Sequence, residues 1–155
     1  MLTIPRSIVL TMACLVAMPV PARADQWDDL ARKFVDQEHA QFVRRAADSD
    51  GIVIVMEHPL VTERVVLVVM DKKPAMSFQF TPATLPGDDA FELMARGGSL
   101  VTGKEAAVAM HIFRQSYTAA RTNDLGVATV SSDGFSVTCI LPRDGGGLSF
   151  LVASD

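Results

Sequence analysis

Between Gly51 and Pro82 the chain reads GIVIVMEHPLVTERVVLVVMDKKPAMSFQFTP, a density of Val, Ile, Met and Phe that few folds accommodate. Two runs, Gly51–Met56 and Arg64–Met70, are almost continuously apolar. β-Branched side chains lose χ1 freedom in a helix and pack well on a pleated surface. The runs are too short for a typical buried helix, so they predict strands. Continuous apolar character predicts burial on both faces and a central place in a sheet. A third run alternates, with Met76, Phe78 and Phe80 on one side and Ser77, Gln79 and Thr81 on the other. That period of two is the pattern of a half-buried strand. Asp71-Lys72-Lys73-Pro74 between the second and third runs predicts a polar hairpin turn.

Residues 1–24 read as an address rather than as part of the fold. Arg6 and the free amine begin it, Ile8–Val20 is an apolar run of 13 residues, and Ala22-Arg23-Ala24 is a small-residue cleavage signal. The run is too short to span a bilayer comfortably. A lipid anchor at Cys14 is disfavoured by Thr11 and Met12 and by the apolar sequence continuing past it. Cleavage near Ala24-Asp25 and export, to a periplasm or beyond the cell, are the expectation, with no stable membrane insertion afterwards. The whole chain carries 14 basic and 18 acidic residues. The leader contains Arg6 and Arg23 and no acid, so the mature chain has 12 against 18, a net charge of −6. With no basic patch, nucleic acid is a poor partner. Residues 25–155 suit one domain. Of the two cysteines only Cys139 survives cleavage, which excludes an internal disulfide. It shares an apolar strand face with Phe135, Val137 and Leu141, and so reads as a small core residue.

Asp25–Ala47 predicts one helix, since Trp27, Leu30, Ala31, Phe34, Val35, Phe42 and Ala46 recur at helical spacing. Asp28 and Asp29 would stand in its first turn and Arg44 and Arg45 in its last, matching the helix dipole. Glu38 projects from the apolar stripe, where its carboxylate would reach a neighbour such as Arg45, or solvent, or serve a ligand. Asp48-Ser49-Asp50-Gly51, with Glu57, partly fits a calcium loop. Ala46 stands where the first carboxylate belongs, and a strand follows in place of a helix, so an Asp/Gly turn is the better reading. Glu57-His58-Pro59 closes the first strand and places an acid beside a histidine in a loop, where chemistry often sits. The three histidines, His39, His58 and His111, lie on separate elements without metal-ligand spacing, and no metal or cofactor is expected.

Thr81–Leu100 is punctuated by Pro82, Pro86, Gly87, Gly97 and Gly98. It predicts either a loop or a short helix over Asp88–Arg96 stopped by Gly97. Gly98-Ser99-Leu100-Val101-Thr102-Gly103-Lys104-Glu105 matches the spacing of a phosphate-binding loop. Glu105 replaces the magnesium-holding hydroxyl, and its charge would repel phosphate. A capping box fits better, with Thr102 as N-cap and Glu105 three residues later, opening a helix from about Gly103 to Arg121. Val127–Ser131, Phe135–Leu141 and Leu148–Ala153 then predict three strands, the first two joined by a tight Ser132-Asp133-Gly134 turn. The glycine triplet Gly145-Gly146-Gly147 joins two strands, so no helix dipole backs it as a phosphate site.

The expected fold is therefore a single α+β domain of about six mainly antiparallel strands, in two triplets, with two long helices packed on the sheet. Two function classes follow. One is a small exported binding, accessory or inhibitor-type module acting on another envelope protein or a small ligand. The other is a small envelope hydrolase or transferase using Glu57 and His58 as an acid–base pair, with Arg143 or Glu38 brought near as ligand-binding groups.

Overall fold

A computed structural model describes residues 23–47, 49, 51–81 and 86–155. Residues 1–22 of the leader reading lie outside these, as do Asp48 and Asp50 of the calcium-like turn and Pro82–Leu85, while Arg23 and Ala24 open the first helix. The elements run α1 (Arg23–Glu38), β1 (Gln41–Ala47), β2 (Gly51–His58), β3 (Val61–Met70), β4 (Lys73–Phe80), α2 (Asp88–Thr102), α3 (Ala106–Thr122), β5 (Val127–Ser132), β6 (Phe135–Ile140) and β7 (Leu148–Ser154). The protein is α+β, with seven strands in one antiparallel sheet of order β1-β2-β3-β4-β7-β6-β5. Two meanders, β1–β4 and β5–β7, meet where β4 pairs with β7, Phe78 opposite Phe150. The α2–α3 pair carries the chain from β4 to the far edge.

The valine-rich stretch forms the strands its composition predicts, and their turn is tight. Asp71 and Lys72 take φ of 50° and 65°, the left-handed pair that matches strand twist in a two-residue hairpin. The central position, however, belongs to β4, whose sequence alternates, with β3 and β7 on either side of it. β2 and β3 lie nearer the β1 edge and are covered by helices on one face only. On that face Ile54, Met56, Val65, Leu67 and Val69 join the core. On the other, Val55 and Val66 are buried among their strand neighbours, while Val53 and Met70 are exposed. Among the described residues, their double-sided apolar character thus has no second helical layer behind it.

The covered face is aromatic. Phe150 meets the rings of Phe80, Phe91, Phe113 and Tyr117 at centroid distances of 5.7–6.3 Å. Phe78 links Phe34 of α1 to Phe113 of α3. Each such pair adds about 0.5–1.5 kcal/mol beyond the area it buries.

Three helix boundaries differ from the sequence reading. First, α1 ends at Glu38. His39 takes φ of 54°, the left-handed conformation that stops a helix, and Ala40 N–H returns to Val35 O at 3.2 Å. Gln41–Ala47 becomes the seventh strand, so Arg44 and Arg45 lie on a sheet edge rather than in a last helical turn. The i,i+4 spacing of Phe42 and Ala46 fits a strand face as well as a helical one, and the bulge between Phe42 and Arg44 then turns the two to opposite faces, against Met56 and Val53.

Second, α2 continues through Gly97 and Gly98 to Thr102. A Cβ on Gly97 would come within 2.7 Å of Phe78 Cζ and 2.9 Å of Met76 Sδ. The glycine therefore lets the helix approach the sheet closely instead of ending it. Third, no capping box forms. The Thr102 hydroxyl donates back to Gly98 O at 2.8 Å and accepts from Lys104 N–H at 3.2 Å. α3 starts after Glu105, which makes no side-chain cap bond. Gly103, at φ of 70°, ends α2 by donating to Ser99 O at 2.8 Å. The residues with phosphate-loop spacing are thus a helix end.

Candidate functional site

The candidate residues from the sequence fall into two structural groups. Glu38 and His58 meet at the C-terminus of α1. The Glu38 carboxylate is buried and paired not with Arg45 but with Arg96 of α2. Arg96 Nε donates at 2.9 and 3.0 Å to the two carboxylate oxygens, and Nη2 donates at 2.9 Å. This bond, more than the nearby charges, raises the Arg96 guanidinium above its ordinary value. Arg45 instead bonds Asp28 at 2.7 Å, tying edge strand β1 to α1.

His58 serves the same helix end. Leu60 N–H donates to its Nδ1 at 3.1 Å, so that nitrogen is an acceptor and Nε2 carries the proton. Nε2 then donates to the Glu38 carbonyl at 2.9 Å, satisfying one of the carbonyls a helix leaves unpaired. Both ring nitrogens are engaged by backbone.

Arg143 lies far from this cluster. Its guanidinium donates to Ala120 O at 3.4 Å, to Arg121 O at 3.1 Å and to Asn123 O, closing the C-terminus of α3. A cation there also complements the helix dipole. Cys139 is fully buried, and desolvation pushes its thiol up from 9.0 to about 12, which keeps it protonated and a poor nucleophile.

The geometry does place Glu57 beside a concavity. A hollow of about 500 Å³ is lined by His39, Gln41, Glu57, His58, Pro59, Val61, Thr62 and Glu63. Glu57 is exposed, and among the described residues no hydrogen bond joins its carboxylate to the His58 ring. Glu63 accepts from Arg64 at 3.1 Å. No group of three or more His, Cys, Asp or Glu among the described residues is placed to hold a metal.

A second surface escaped the sequence reading. The three helices among the described residues lie on one face of the sheet, and the other face carries an apolar area on β2 and β3. Val53 is 36% exposed and Met70 60% exposed. Ala46, Gly51, Val53, Val68 and Met70 help line a shallow hollow there of about 170 Å³. The signal was present in the odd–even pattern of β2 and β3, whose valines occupy both faces although helices cover only one.

Among the described residues, the fold and site define an α+β protein with one antiparallel sheet, helices on a single face and an exposed apolar area on the other. Among the described residues no helix is long and apolar enough to cross a membrane. Comparison with protein-family models, curated proteins and solved structures finds no match.

Proposed function

We propose that this is a small exported interaction module, binding another envelope protein through the helix-free face of its sheet. The observation that carries the reading is the exposed hydrocarbon of Val53 and Met70, continuous with Val55, Val66 and Val68. Contiguous apolar surface rimmed by polar groups favours a protein partner. Arg44 and Glu57, next to Val55 on the same face, supply such a rim. Export rests on the leader-like residues 1–24, and the accessory or inhibitor character on the engagement of Glu38, His58 and Arg143 in helix-end contacts.

One observation favours a second reading, a small hydrolase or transferase. Glu57 and His58 line one hollow, although His58 would have to release a backbone bond to exchange a proton. Capture from an envelope extract separates the two. With Val53→Lys and Met70→Lys the partner is lost, and with Glu57→Gln and His58→Ala it is kept. Retention by the first pair of substitutions refutes binding through this face.

A further inference from the structure

The two edges of the sheet are built differently. β1 bulges at Phe42/Arg44, and its Arg44 and Arg45 place two positive charges in succession along the edge. Bulges and charges are the devices by which edge strands resist pairing with another chain. β5 has neither. Its sequence VATVSS contains no charge and no proline, and its register with β6 runs unbroken from Val127↔Ile140 to Ser132↔Phe135. It is unbulged and β-prone, and no described strand lies beyond it. Leu125, 79% exposed, and Val127, 41% exposed, stand at its start.

We propose that β5 is a self-association edge, pairing antiparallel with β5 of a second copy to give one continuous sheet across a two-fold axis. Three physical points select this occupant. Alternate backbone N–H and C=O groups of an edge strand point outward; Val127 O already accepts from Asn123 Nδ2 at 3.0 Å, and a strand satisfies those that follow as a row. With helices kept on one face, the axis stands perpendicular to the sheet and centres on a single β5 residue, because paired residues share a face. Centring on Thr129 opposes Thr129 to its copy and Val127 to Ser131. Centring on Val130 opposes Thr129 to Ser131 and Ala128 to Ser132. Neither register sets like charges together, and both pair β-branched and hydroxyl side chains that stabilise strand neighbours. Finally, β5 against β1 of another copy would be a head-to-tail contact that propagates into filaments. The arginines and bulge of β1 oppose that contact, which leaves the β5–β5 pairing, and that pairing closes.

The test is the solution mass of the chain recovered after full-length expression. Sedimentation is measured at a concentration on the order of 100 µM, since an interface below about 1,200 Å² is weak. The wild type sediments as a dimer. Thr129→Lys with Ser131→Lys gives a folded monomer, because both positions are on the helix-free face and either register then opposes lysines. Thr129→Asp with Ser131→Asp does the same, and mixing the two variants restores a dimer that contains one copy of each. Val43→Lys on β1 leaves the dimer intact. Without any substitution, β5 amides exchange more slowly as concentration rises. A monomeric wild type overturns the proposal. So does a dimer that survives the lysine pair or is lost with Val43→Lys, or exchange at β5 that is indifferent to concentration.

Discussion

Phe150 and Leu151 are neighbours on β7 and live in different solvents. Phe150 is fully buried among four aromatic rings beneath α2 and α3, whereas Leu151 is 39% exposed on the face without helices. The same contrast runs along the sheet: Phe78 against Ser77, Leu67 against Val68, Ile54 against Val53. One face holds the architecture together, and the other is free to vary or to meet something else. Position relative to the helical layer, more than side-chain hydrophobicity, separates residues that specify the fold from residues available for recognition.

Substitutions can break or sharpen this contrast. Phe150→Ala should cost about 3–5 kcal/mol in urea unfolding, with the ring contacts and a cavity lost together. Arg96→Ala should cost about 1–3 kcal/mol, because it strands the buried Glu38 carboxylate; the figure is kept low because Arg96 is 45% exposed and partly screened. Replacing both partners, Glu38→Gln with Arg96→Met, should cost less than Arg96→Ala alone. Gly97→Ala should cost about 1–3 kcal/mol by pressing a methyl against Phe78 and Met76, with a lower melting temperature as the readout.

Cys139 tests the covered face by pH. Its thiol is raised from 9.0 to about 12, so the folded chain keeps a proton that the unfolded chain releases. The stability it contributes is complete below pH 9 and is lost as pH rises from there toward 12. Urea midpoints measured on either side of that window should fall further for the wild type than for Cys139→Val. The smallest effects belong to the bare face. Leu151→Ala and Met70→Ser should each change stability by less than about 1 kcal/mol. A cost for Leu151→Ala equal to that for Phe150→Ala would erase the distinction between the faces.

Much of this was legible in the chain itself. Alternation named the inward residues of β4 and β6, and Asp71-Lys72 and Asp133-Gly134 announced their hairpins. What misled has physical causes. Phe42 and Ala46 stand four apart, a spacing that strands and helices share, so Gln41–Ala47 was absorbed into α1. Gly97 and Gly98 look like helix stops until the rings of Phe78 and Phe113 occupy the space a side chain would need. Thr102 and Glu105 have capping-box spacing, yet they straddle the junction between two helices. Of the candidate groups, Glu57 and His58 do share a hollow. The partners of Glu38 and Arg143 could not be found by spacing, since Arg96 is 58 residues away from Glu38, and Arg143 bonds main-chain oxygens that carry no sequence signature.

The strand latest in the chain stands beside the central one. Phe78 and Phe150 are 72 positions apart, so the seam between the meanders can knit only after nearly all the intervening chain is in place. Until β7 inserts, the aromatic rings of β4 have no neighbour on that side. A single proteolytic cut in the exposed Asp144–Gly147 turn would release a strand from the interior of the sheet rather than from its margin, parting β1–β4 from β5–β6.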